Sequence, residues 1–533
     1  MEKEKFYITT PIYYPSRKFT LGNCYTTVIC DALARFNKLL NKDVFFMTGT
    51  DEHGQKIAQA AKVAGKSEMD YLDEIIADAK NLWQMLHIDY DKFIRTTDDY
   101  HVASVQKIFK ELYDKGYIYK SSYKGKYCVP CESFWTESQL VEGKCPDCHR
   151  EVVDQEEESY FFKLSEFGDK LLNLYKNNPE FLQPQSRVNE MINNFIKPGL
   201  EDLCVSRTSV KWGVPVDFDD KHTVYVWIDA LSNYITGLGF GTENDELYKK
   251  FWPADVHVIG KEIVRFHAII WPAILMALDL PLPKRIFGHG WLLFGGDKLS
   301  KSKSVNSTEC VDPRILVPRY TADSVRYILL REIPFGSDGN YSTELFFNTI
   351  NSDLANNYGN LVSRTFSMLK KYRNSVVPEK CEDADSIDDV DDDLKTTTYK
   401  AIIDAKKYIE DNFDVSKALA SIFEIFSKAN KYIEVTEPYR LAKDETKTKR
   451  LDNVLRNLLE SIRVGTILLS AFLTECSEKV LNALDVQDRL YEDAKHFYGL
   501  VAGKTVEDIG ILFPRIDLDK EFEELKKLED EKK

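Results

Sequence analysis

The stretch FYITTPIYYPSRKFTLGNCYTTVICDALARFNKLLNKDVFFMTGTDEHGQK, residues 6–56, decides the fold. Its two apolar runs, FYITT and DVFFMTGT, predict short buried strands, and the segment from Gly22 through CYTTVICDALARFNKLL predicts a helix. A strand, a loop, a helix and a second strand at this spacing predict a right-handed crossover in a parallel sheet. Because such sheets bind ligands beyond the carboxyl ends of their strands, TTPIYY and GTDEHG are the candidate site segments.

The rest of the chain divides into three kinds of sequence. Residues 118–222 are rich in Lys, Glu, Tyr and Cys and lack the sheet pattern, which predicts an insertion. The α/β pattern returns with HTVYVWIDALSNYI (222–235) and DVHVIGKEIVRFHAIIWPAILMAL (255–278), and RIFGHGWLLF (285–294) predicts the last strand. After about residue 346, long segments with helical periodicity predict a bundle that continues to about residue 510.

The composition limits the class of protein. A chain of 533 residues predicts roughly three or four domains, and 43% apolar with 12% aromatic residues is enough to fill their cores. No apolar run approaches the roughly 18 residues of a membrane span, and the N-terminus has no signal-peptide core. Ten scattered cysteines favour reduced thiols in the cytoplasm. The net charge of −15 argues against non-specific nucleic-acid binding but permits a local basic patch for RNA.

Four of the cysteines are clustered. YCVPC contains Cys128 and Cys131, and KCPDC contains Cys145 and Cys148. Two CxxC pairs this close together predict a zinc site, since each pair supplies two soft ligands to a tetrahedron. Four protein ligands leave no position for water, so the predicted zinc is structural. His149, beside Cys148, remains an alternative fourth ligand.

A second motif is GHGWLLFGGDKLSKSKSV, residues 288–305. It places Lys298, Lys301 and Lys303 beside a glycine pair at the end of a predicted strand. Mobile ammonium groups suit a nucleotide triphosphate, whose negative charge grows during phosphoryl chemistry. A solvated lysine-rich turn is the alternative for this loop alone. Near the same sheet, however, FTLGN has Gly22 at a helix start, where a ligand can approach the backbone closely.

Taken together, these segments resemble the class I aminoacyl-tRNA synthetases. KLSKS (298–302) resembles the KMSKS loop of that class, and TLGN (20–23) stands where its members have HIGH. The segments TTPIYYPS, GTDEHGQKI, YVWIDALSNYI, HVIGKEIVRFHAIIWPAILMA, GHGWLL and DLANNYGNLVSR resemble, in order, those of the methionyl-tRNA synthetase family. The resemblance extends to about residue 515. Relatives specific for cysteine, leucine or valine share the two signatures but not these segments.

The resemblance implies an α/β fold: a Rossmann-type catalytic domain with a parallel sheet and a zinc-knuckle insertion, followed by an all-α anticodon-binding bundle. We predict the following segments: 1–117, first half of the Rossmann domain; 118–222, connective insertion with the zinc site at 128–148; 223–290, second half of the Rossmann domain; 291–345, KMSKS-loop and stem-contact region; 346–510, anticodon-binding domain; and 511–533, charged tail.

The family's reaction has two steps. Methionine attacks the α-phosphate of ATP to form methionyl-adenylate and pyrophosphate, and a terminal ribose hydroxyl of the tRNA then takes the methionyl group. Mg²⁺ accompanies the ATP, and catalysis rests on positioning and charge stabilisation. The resemblance implies catalytic roles for Lys298, Lys301, Thr20 and Asn23. It implies ATP contacts from Gly22, Lys261, Gly288, His289, Gly290, Trp291, Ser300 and Ser302.

The amino-acid pocket follows from the chemistry of methionine and from family position. The polarizable thioether requires apolar and aromatic walls, and the α-amino group requires a carboxylate. By position in the family, the walls are Ile12, Tyr14, Trp227, Leu231, Tyr234, His267 and Trp271, and the carboxylate is Asp51. His267 and Trp271 are four residues apart, so one helical face presents both. Each aromatic residue taken alone is equally compatible with a place in the core.

The bundle is predicted to bind the anticodon. Asn360 and Arg364 are four residues apart and can hydrogen-bond the edges of unstacked bases. Tyr439 follows a proline at the place where the family usually has a tryptophan, and its smaller ring can still stack on a base. The predicted partners are methionine, ATP and methionine tRNA, both initiator and elongator, and the chain is predicted to be a monomer without a membrane partner.

Two alternatives remain at this stage. TLGN lacks both histidines of the family signature, which leaves open a non-catalytic tRNA-binding or regulatory relative. A class I synthetase with another amino-acid specificity is the second alternative. The complete lysine motif and methionine pocket argue against the first, and pyrophosphate exchange with each of twenty amino acids separates all three.

Overall fold

The computed structural model describes residues 3–131, 133–135, 137–294, 297–298, 312–333, 336–382 and 387–531. The first part of the chain forms the crossover that the sequence predicts. Its elements are β1 (Lys5–Thr9), α1 (Leu21–Leu39), β2 (Asp43–Thr50), α2 (Gln55–Ala64), α3 (Glu68–Met85), β3 (Lys92–Arg95) and α4 (Asp99–Asp114). The strands β1 and β2 pair in parallel, with Lys5 opposite Asp43 and Thr9 opposite Met47. The predicted parallel sheet is confirmed.

Residues 118–222 do contain a sheet, which the sequence analysis missed. The elements are β4 (Ile118–Cys128), β5 (Ser133–Trp135), β6 (Val153–Phe162), α5 (Gly168–Asn177), β7 (Leu182–Gln183), α6 (Gln185–Met191), β8 (Leu203–Cys204) and β9 (Ser206–Arg207), and β10 (Thr223–Val224) follows directly after them. Four strands form an antiparallel sheet in the order β5-β4-β6-β8, and β9 pairs with β10. β4 has the sequence IYKSSYKGKYC and β6 has VDQEEESYFF, so both strands lack the apolar run that is typical of a buried parallel strand.

The second half of the α/β unit completes the main sheet. Its elements are α7 (Val226–Thr236), α8 (Glu246–Phe251), β11 (Val256–Gly260), α9 (Trp271–Ala277), β12 (Ile286–His289), β13 (Leu292–Phe294), β14 (Asp297–Lys298), α10 (Pro313–Tyr320), α11 (Ala322–Arg331) and β15 (Gly339–Tyr341). A π-helical turn, Phe266–Ile270, leads into α9. The sheet order is β3-β2-β1-β11-β12-β7, so the two-residue β7 of the insertion forms its edge. The predicted single strand at 285–294 is two strands in different sheets, because Gly290 and Trp291 interrupt it.

The remainder of the described chain is helical. The helices are α12 (Thr343–Thr349), α13 (Asn360–Arg373), α14 (Asp389–Asn412), α15 (Val415–Thr436), α16 (Pro438–Leu441), α17 (Thr448–Leu469), α18 (Thr474–Ala483), α19 (Tyr491–Ala494) and α20 (Leu518–Glu531), with a π-helical segment, Ile350–Gly359, before α13. Among the helices described, none has both the length and the apolar character needed to cross a membrane.

The core sits on both faces of the main sheet. In β1, Phe6 and Ile8 face a core that continues through α1 into the helical bundle, while Tyr7 faces the core shared with α4, α7 and the insertion. This alternation is the period of two expected for a strand. The buried guanidinium of Arg326 lies 2.6 Å from the Asp31 carboxylate and donates to the carbonyl oxygen of Phe472 at 2.7 Å. One residue of α11 therefore joins α1 to the bundle.

Candidate active site

A cavity of about 500 Å³ opens at the carboxyl ends of the central strands. Residues that follow β1, β2, β11 and β12 line it, as the topology of a parallel sheet predicts. Thirteen predicted site residues lie in its wall: Ile12, Tyr14, Thr20, Gly22, Asn23, Asp51, Trp227, Leu231, Tyr234, His267, His289, Gly290 and Trp291. The fold thus brings the two candidate segments of the opening stretch to one cavity.

One wall is built around a neutral histidine. His267 Nε2 lies 2.7 Å from the hydroxyl of Tyr234, and His267 Nδ1 lies 2.9 Å from the carbonyl oxygen of Ile263. Because a carbonyl only accepts, Nδ1 carries the proton and Nε2 accepts from Tyr234. Burial lowers the pKa of His267 to about 4. The wall therefore presents aromatic surface without charge at neutral pH.

Two tryptophans predicted for this wall have different positions. Trp227 lines the cavity, and its ring stacks on that of Phe266 at a centroid distance of 3.5 Å with an interplanar angle of 7°. Trp271 is fully buried and does not line the cavity; its ring packs behind Tyr234 at 6.1 Å and against Trp252 at 6.2 Å. In this structure Trp271 supports the wall from the core and is not among the residues that line the cavity.

A buried charge network holds the loop that contains Asp51. Asp229 of α7 accepts from His53 Nδ1 and from His101 Nε2, both at 2.7 Å. Burial opposes the ionised form of Asp229, but the two histidines prevail and lower its pKa to about 2. Burial likewise opposes the charged form of His53, yet Asp229 keeps the pKa of His53 above its ordinary value. The Asp51 loop is thereby tied to α7 and α4.

Contacts from β3 of the main sheet and from the insertion fix the same loop. Arg95 donates to the buried carboxylate of Glu52 at 2.9 Å, and the indole of Trp212 donates to the carbonyl oxygen of Glu52 at 2.7 Å. These contacts around the Asp51 loop were not predicted from the sequence, because the residues that make them are far apart in the chain. Their only local signal is the row of charged residues in GTDEHG at the end of an apolar strand.

The TLGN segment forms the start of α1, where Thr20 and Asn23 are bonded to each other. The backbone N–H of Thr20 donates to Asn23 Oδ1 at 2.9 Å, and the hydroxyl of Thr20 points to the same oxygen at 3.3 Å. An N–H can only donate, which identifies the bonded amide atom of Asn23 as its oxygen. The NH₂ of Asn23 is then the group available to a ligand. The hydroxyl of Thr20, predicted as a ligand donor, is used within the chain in this structure.

The opposite side of the cavity is built from the end of β12. His289 Nε2 lies 2.7 Å from the hydroxyl of Thr26 on α1, and His289 packs edge-on against Tyr25 at 5.0 Å. A Cβ at Gly290 would lie 2.1 Å from the backbone of Ser337, so only glycine fits there. The Cβ of any residue replacing Gly288 would meet Val264 at 2.6 Å. Gly288 therefore has a packing role and does not line the cavity.

Lys261 is a second predicted ATP contact, after Gly288, that is not among the residues lining the cavity. Its ammonium group lies 2.7 Å from the Asp338 carboxylate and 3.9 Å from the centroid of the Trp291 ring. Asp338 also accepts from the backbone N–H of Trp291 at 2.8 Å. Burial opposes ionisation of Asp338, but these contacts keep its pKa below the ordinary value. Lys261 thus holds the Trp291 segment in place.

Most of the lysine loop lies outside the described residues: Ser300, Lys301, Ser302 and Lys303. The backbone of Lys298 pairs with Leu293 in the β13–β14 ladder. Downstream of the loop, Arg314 of α10 donates to the carbonyl oxygen of Phe19 at 3.0 Å. The downstream flank of the loop is therefore anchored next to TLGN.

Several cavity residues were not predicted from the sequence. Tyr25 and Thr26 follow TLGN directly, and Lys56 lies in GTDEHGQK, with its ammonium group 5.7 Å from the centroid of the Tyr14 ring. Their proximity to the two recognised motifs is the signal that could have found them. Pro130 and Cys131 also line the cavity, which brings the cysteine cluster to its edge.

The four cysteines form a compact cluster. All four Sγ atoms of Cys128, Cys131, Cys145 and Cys148 lie within 4.8 Å of one another, and His149 is not part of that group. The Cys128–Cys148 sulfurs are 3.5 Å apart, and the Cys145–Cys131 sulfurs are 3.8 Å apart. A tetrahedron with Zn–S bonds of about 2.3 Å has edges of about 3.8 Å. The cluster fits a zinc ion held by four thiolates.

The predicted anticodon residues lie on the bundle, far along the chain from the cavity residues. Asn360 and Arg364 are exposed on the first turns of α13. Tyr439 in α16 is 48% exposed, and its hydroxyl donates to Glu437 at 2.8 Å. Exposure is what a residue that stacks on or bonds to an unpaired base requires.

Comparison with known proteins identifies the family. Residues 6–157 and 150–366 match the family model "tRNA synthetases class I (M)", and residues 377–530 match "Anticodon binding domain of methionyl tRNA ligase". The methionine–tRNA ligase of Clostridium perfringens is 56% identical over 99% of this chain and 80% of its own length, and that of Caldanaerobacter subterraneus is 55% identical over 99% and 82%.

Solved structures agree. Mycobacterium tuberculosis methionyl-tRNA synthetase bound by methionyl-adenylate is 39% identical, covers 96% of this chain and all of its own, and has a TM-score of 0.89. The free form of the same enzyme has a TM-score of 0.83 at 37% identity, over 97% of this chain and 99% of its own. These matches favour a methionine–tRNA ligase over the two alternatives, and the chain belongs to the methionyl-tRNA synthetase family of class I aminoacyl-tRNA synthetases.

Proposed function

We propose that the cavity at the strand ends binds methionine and ATP, and that the chain attaches L-methionine to methionine tRNA through methionyl-adenylate. The observation that supports this most strongly is that two chemically different walls line the same cavity. One side has the uncharged Trp227–Tyr234–His267 surface, and the other has the start of α1 with Asn23 and Gly22. The first suits a thioether side chain, and the second suits phosphate groups.

In the first step, the carboxylate oxygen of methionine forms a bond to the α-phosphorus of ATP, and the bond from that phosphorus to the pyrophosphate oxygen breaks. Asp51 holds the α-amino group, which orients the carboxylate toward the phosphate. The amide of Asn23 donates to a phosphate oxygen as negative charge develops there. Lys298 and Lys301 neutralise the departing pyrophosphate, a role supported by the anchoring of the flanking α10 beside Phe19.

Mg²⁺ bound with the ATP supplies further positive charge to the phosphates. In the second step, a hydroxyl of the terminal ribose of the tRNA attacks the methionyl carbonyl carbon, and AMP leaves. No side chain forms a covalent bond to substrate in either step. The contribution of the protein is positioning and charge stabilisation in a cavity whose methionine wall is uncharged.

The cysteine cluster and the bundle complete the proposal. Cys128, Cys131, Cys145 and Cys148 hold one structural Zn²⁺, which cross-links β4 to the loop that precedes β6. Asn360 and Arg364 bond to anticodon bases, and Tyr439 stacks on one of them. The proposal also includes a cytoplasmic location, a monomeric state and the charging of both initiator and elongator tRNA. Light scattering tests the monomeric state, and charging assays with each tRNA test the last point.

The direct test is ATP–pyrophosphate exchange with each of the twenty amino acids. Exchange should depend on methionine and be weak or absent with the other nineteen. Exchange with none of them would favour a non-catalytic relative, and exchange with a different amino acid would show that the Trp227–Tyr234–His267 wall has been assigned to the wrong side chain.

A further inference from the structure

Arg265 lies between the cysteine cluster and the methionine side of the cavity. Its guanidinium carbon is 4.5 Å from the centroid of the Trp135 ring and 5.5 Å from that of Phe195. A guanidinium nitrogen lies 3.8 Å from the Asp147 carboxylate. Arg265 immediately precedes the π-helical turn Phe266–Ile270, so its side chain belongs to the main α/β unit while these three partners belong to the insertion.

On the cavity side, the next residue continues the contact. The ring of Phe266 lies against the Arg265 guanidinium at 4.7 Å and stacks on Trp227 at 3.5 Å. Trp227 is part of the cavity wall. A shift of the Arg265 backbone or side chain therefore moves a ring that is one layer from the ligand.

On the cluster side, the partners of Arg265 are attached to the metal ligands. Trp135 packs in one small apolar cluster with Cys128 and Cys145. Asp147 lies in the turn between Cys145 and Cys148, so its direction depends on how that turn is held. The order of the cysteine cluster thus decides whether Arg265 keeps its contacts with Trp135 and Asp147.

We propose that Arg265 is a positioning residue that couples zinc binding at the cysteine cluster to methionine binding in the cavity. The proposal rests on the proposed function, because it requires zinc at the cluster and methionine beside Trp227. In physical terms, bound zinc would hold Trp135 and Asp147 in place. These two residues would hold the Arg265 side chain. Arg265 and Phe266 together would hold the Trp227 ring. Coupling of this kind is reciprocal, so methionine must strengthen zinc binding by the same factor.

The experiment measures the zinc affinity of the full-length protein by competition with a chelator, with and without saturating methionine. In the wild type, methionine should raise the zinc affinity by at least about fivefold, the lower end of ordinary coupling between two sites. Arg265→Met keeps all four cysteines and should still bind zinc, but methionine should no longer change the affinity. Its KM for methionine should rise by a similar factor while kcat for pyrophosphate exchange changes little.

Two further variants separate coupling from a general loss of structure. Arg265→Lys keeps the charge near Asp147 but lacks the planar group that stacks on Trp135, so it should retain part of the coupling. Arg285→Met is the matched control: the Arg285 side chain is 21% exposed, against 20% for Arg265, and is also paired with a carboxylate, that of Glu180. This control should show wild-type coupling.

The outcomes are distinct. Suppose that the wild type holds stoichiometric zinc and binds methionine, but that methionine does not change its zinc affinity. That result overturns the coupling alone. The coupling alone is also overturned if methionine raises the zinc affinity of Arg265→Met as much as that of the wild type. A wild type without zinc, or without methionine binding, overturns the proposed function and the coupling with it. If Arg265→Met does not fold, the wild-type measurement and Arg265→Lys decide.

Discussion

The replacement Asn23→Ala tests how a signature without histidines can support catalysis. In the structure, the oxygen of the Asn23 side chain accepts from the backbone N–H of Thr20 at 2.9 Å, and Asn23 is one of the residues that line the cavity. The residue thus has two roles that can be separated: it caps the start of α1 through its oxygen, and it offers a hydrogen-bond donor to phosphate through its nitrogen. Alanine removes both.

The two losses differ in size and in the quantity that reports them. Loss of the donor should cost about 2–4 kcal/mol in the chemical step, as deletion of a preorganised oxyanion donor does. At 1.36 kcal/mol per tenfold change in rate, adenylate formation should slow by about 30- to 900-fold. Loss of the capping contact should cost about 1 kcal/mol of stability. Rapid-quench measurement of methionyl-adenylate gives the first number, and thermal unfolding monitors the second.

Two companion variants assign the effects. Asn23→Asp keeps an oxygen for Thr20 and a favourable charge at a helix start, so its thermal stability should match the wild type. It has no donor and repels phosphate, so adenylate formation should be at least as slow as in Asn23→Ala. Asn23→His retains a donor and should keep most of the activity. An Asn23→Ala enzyme that forms adenylate at the wild-type rate would refute the donor role.

The remaining predictions concern the other parts of the site. Cys145→Ser should lose about one zinc per chain, measured by metal analysis, and lower the thermal stability of the insertion. Lys301→Ala should slow adenylate formation by about two orders of magnitude without changing the Kd for methionine, because the loop acts on developing charge. Arg364→Ala should reduce kcat/KM for tRNA charging by about five- to 150-fold, as loss of a base contact does, and leave pyrophosphate exchange intact. Because the pKa of His267 is lowered to about 4, below its ordinary value, its contribution to stability is complete above about pH 6.5 and declines as the pH falls toward 4. Methionine binding, followed by equilibrium dialysis, should accordingly be constant from about pH 6 to 8 and weaken toward pH 4.

The parts of the fold that the sequence predicted correctly are those with local signals. β1, α1 and β2 follow from apolar runs and helical periodicity within one short stretch, and the cysteine cluster follows from two CxxC pairs. The resemblance to a family then identified thirteen of the residues that line the cavity. For the strands, the helix and the cysteine cluster, the deciding pattern lies within a few tens of residues, so no knowledge of distant contacts was needed.

The parts that were missed depend on distant partners. β7, Leu182–Gln183, is too short to show any period, yet its pairing with β12 makes it the edge of the main sheet. The network of Asp229 with His53 and His101 joins residues separated by 176 and 128 positions. Trp271 shares a helical face with His267, as the spacing predicted. The spacing does not tell, however, which of the two lines the cavity and which packs behind Tyr234.

The same distinction between local and distant contacts explains why TLGN is compatible with activity. The first residues of α1, a 19-residue helix, line the cavity, so the positive end of the helix dipole lies at the cavity wall. That contribution depends on where the helix begins, which Thr20 and Asn23 secure between themselves, and not on an imidazole. A histidine pair would add donors to this site but would not create it. We therefore expect Asn23 to replace in part the side-chain donors of the two missing histidines, and the start of α1 to retain the backbone part of the proposed phosphate site.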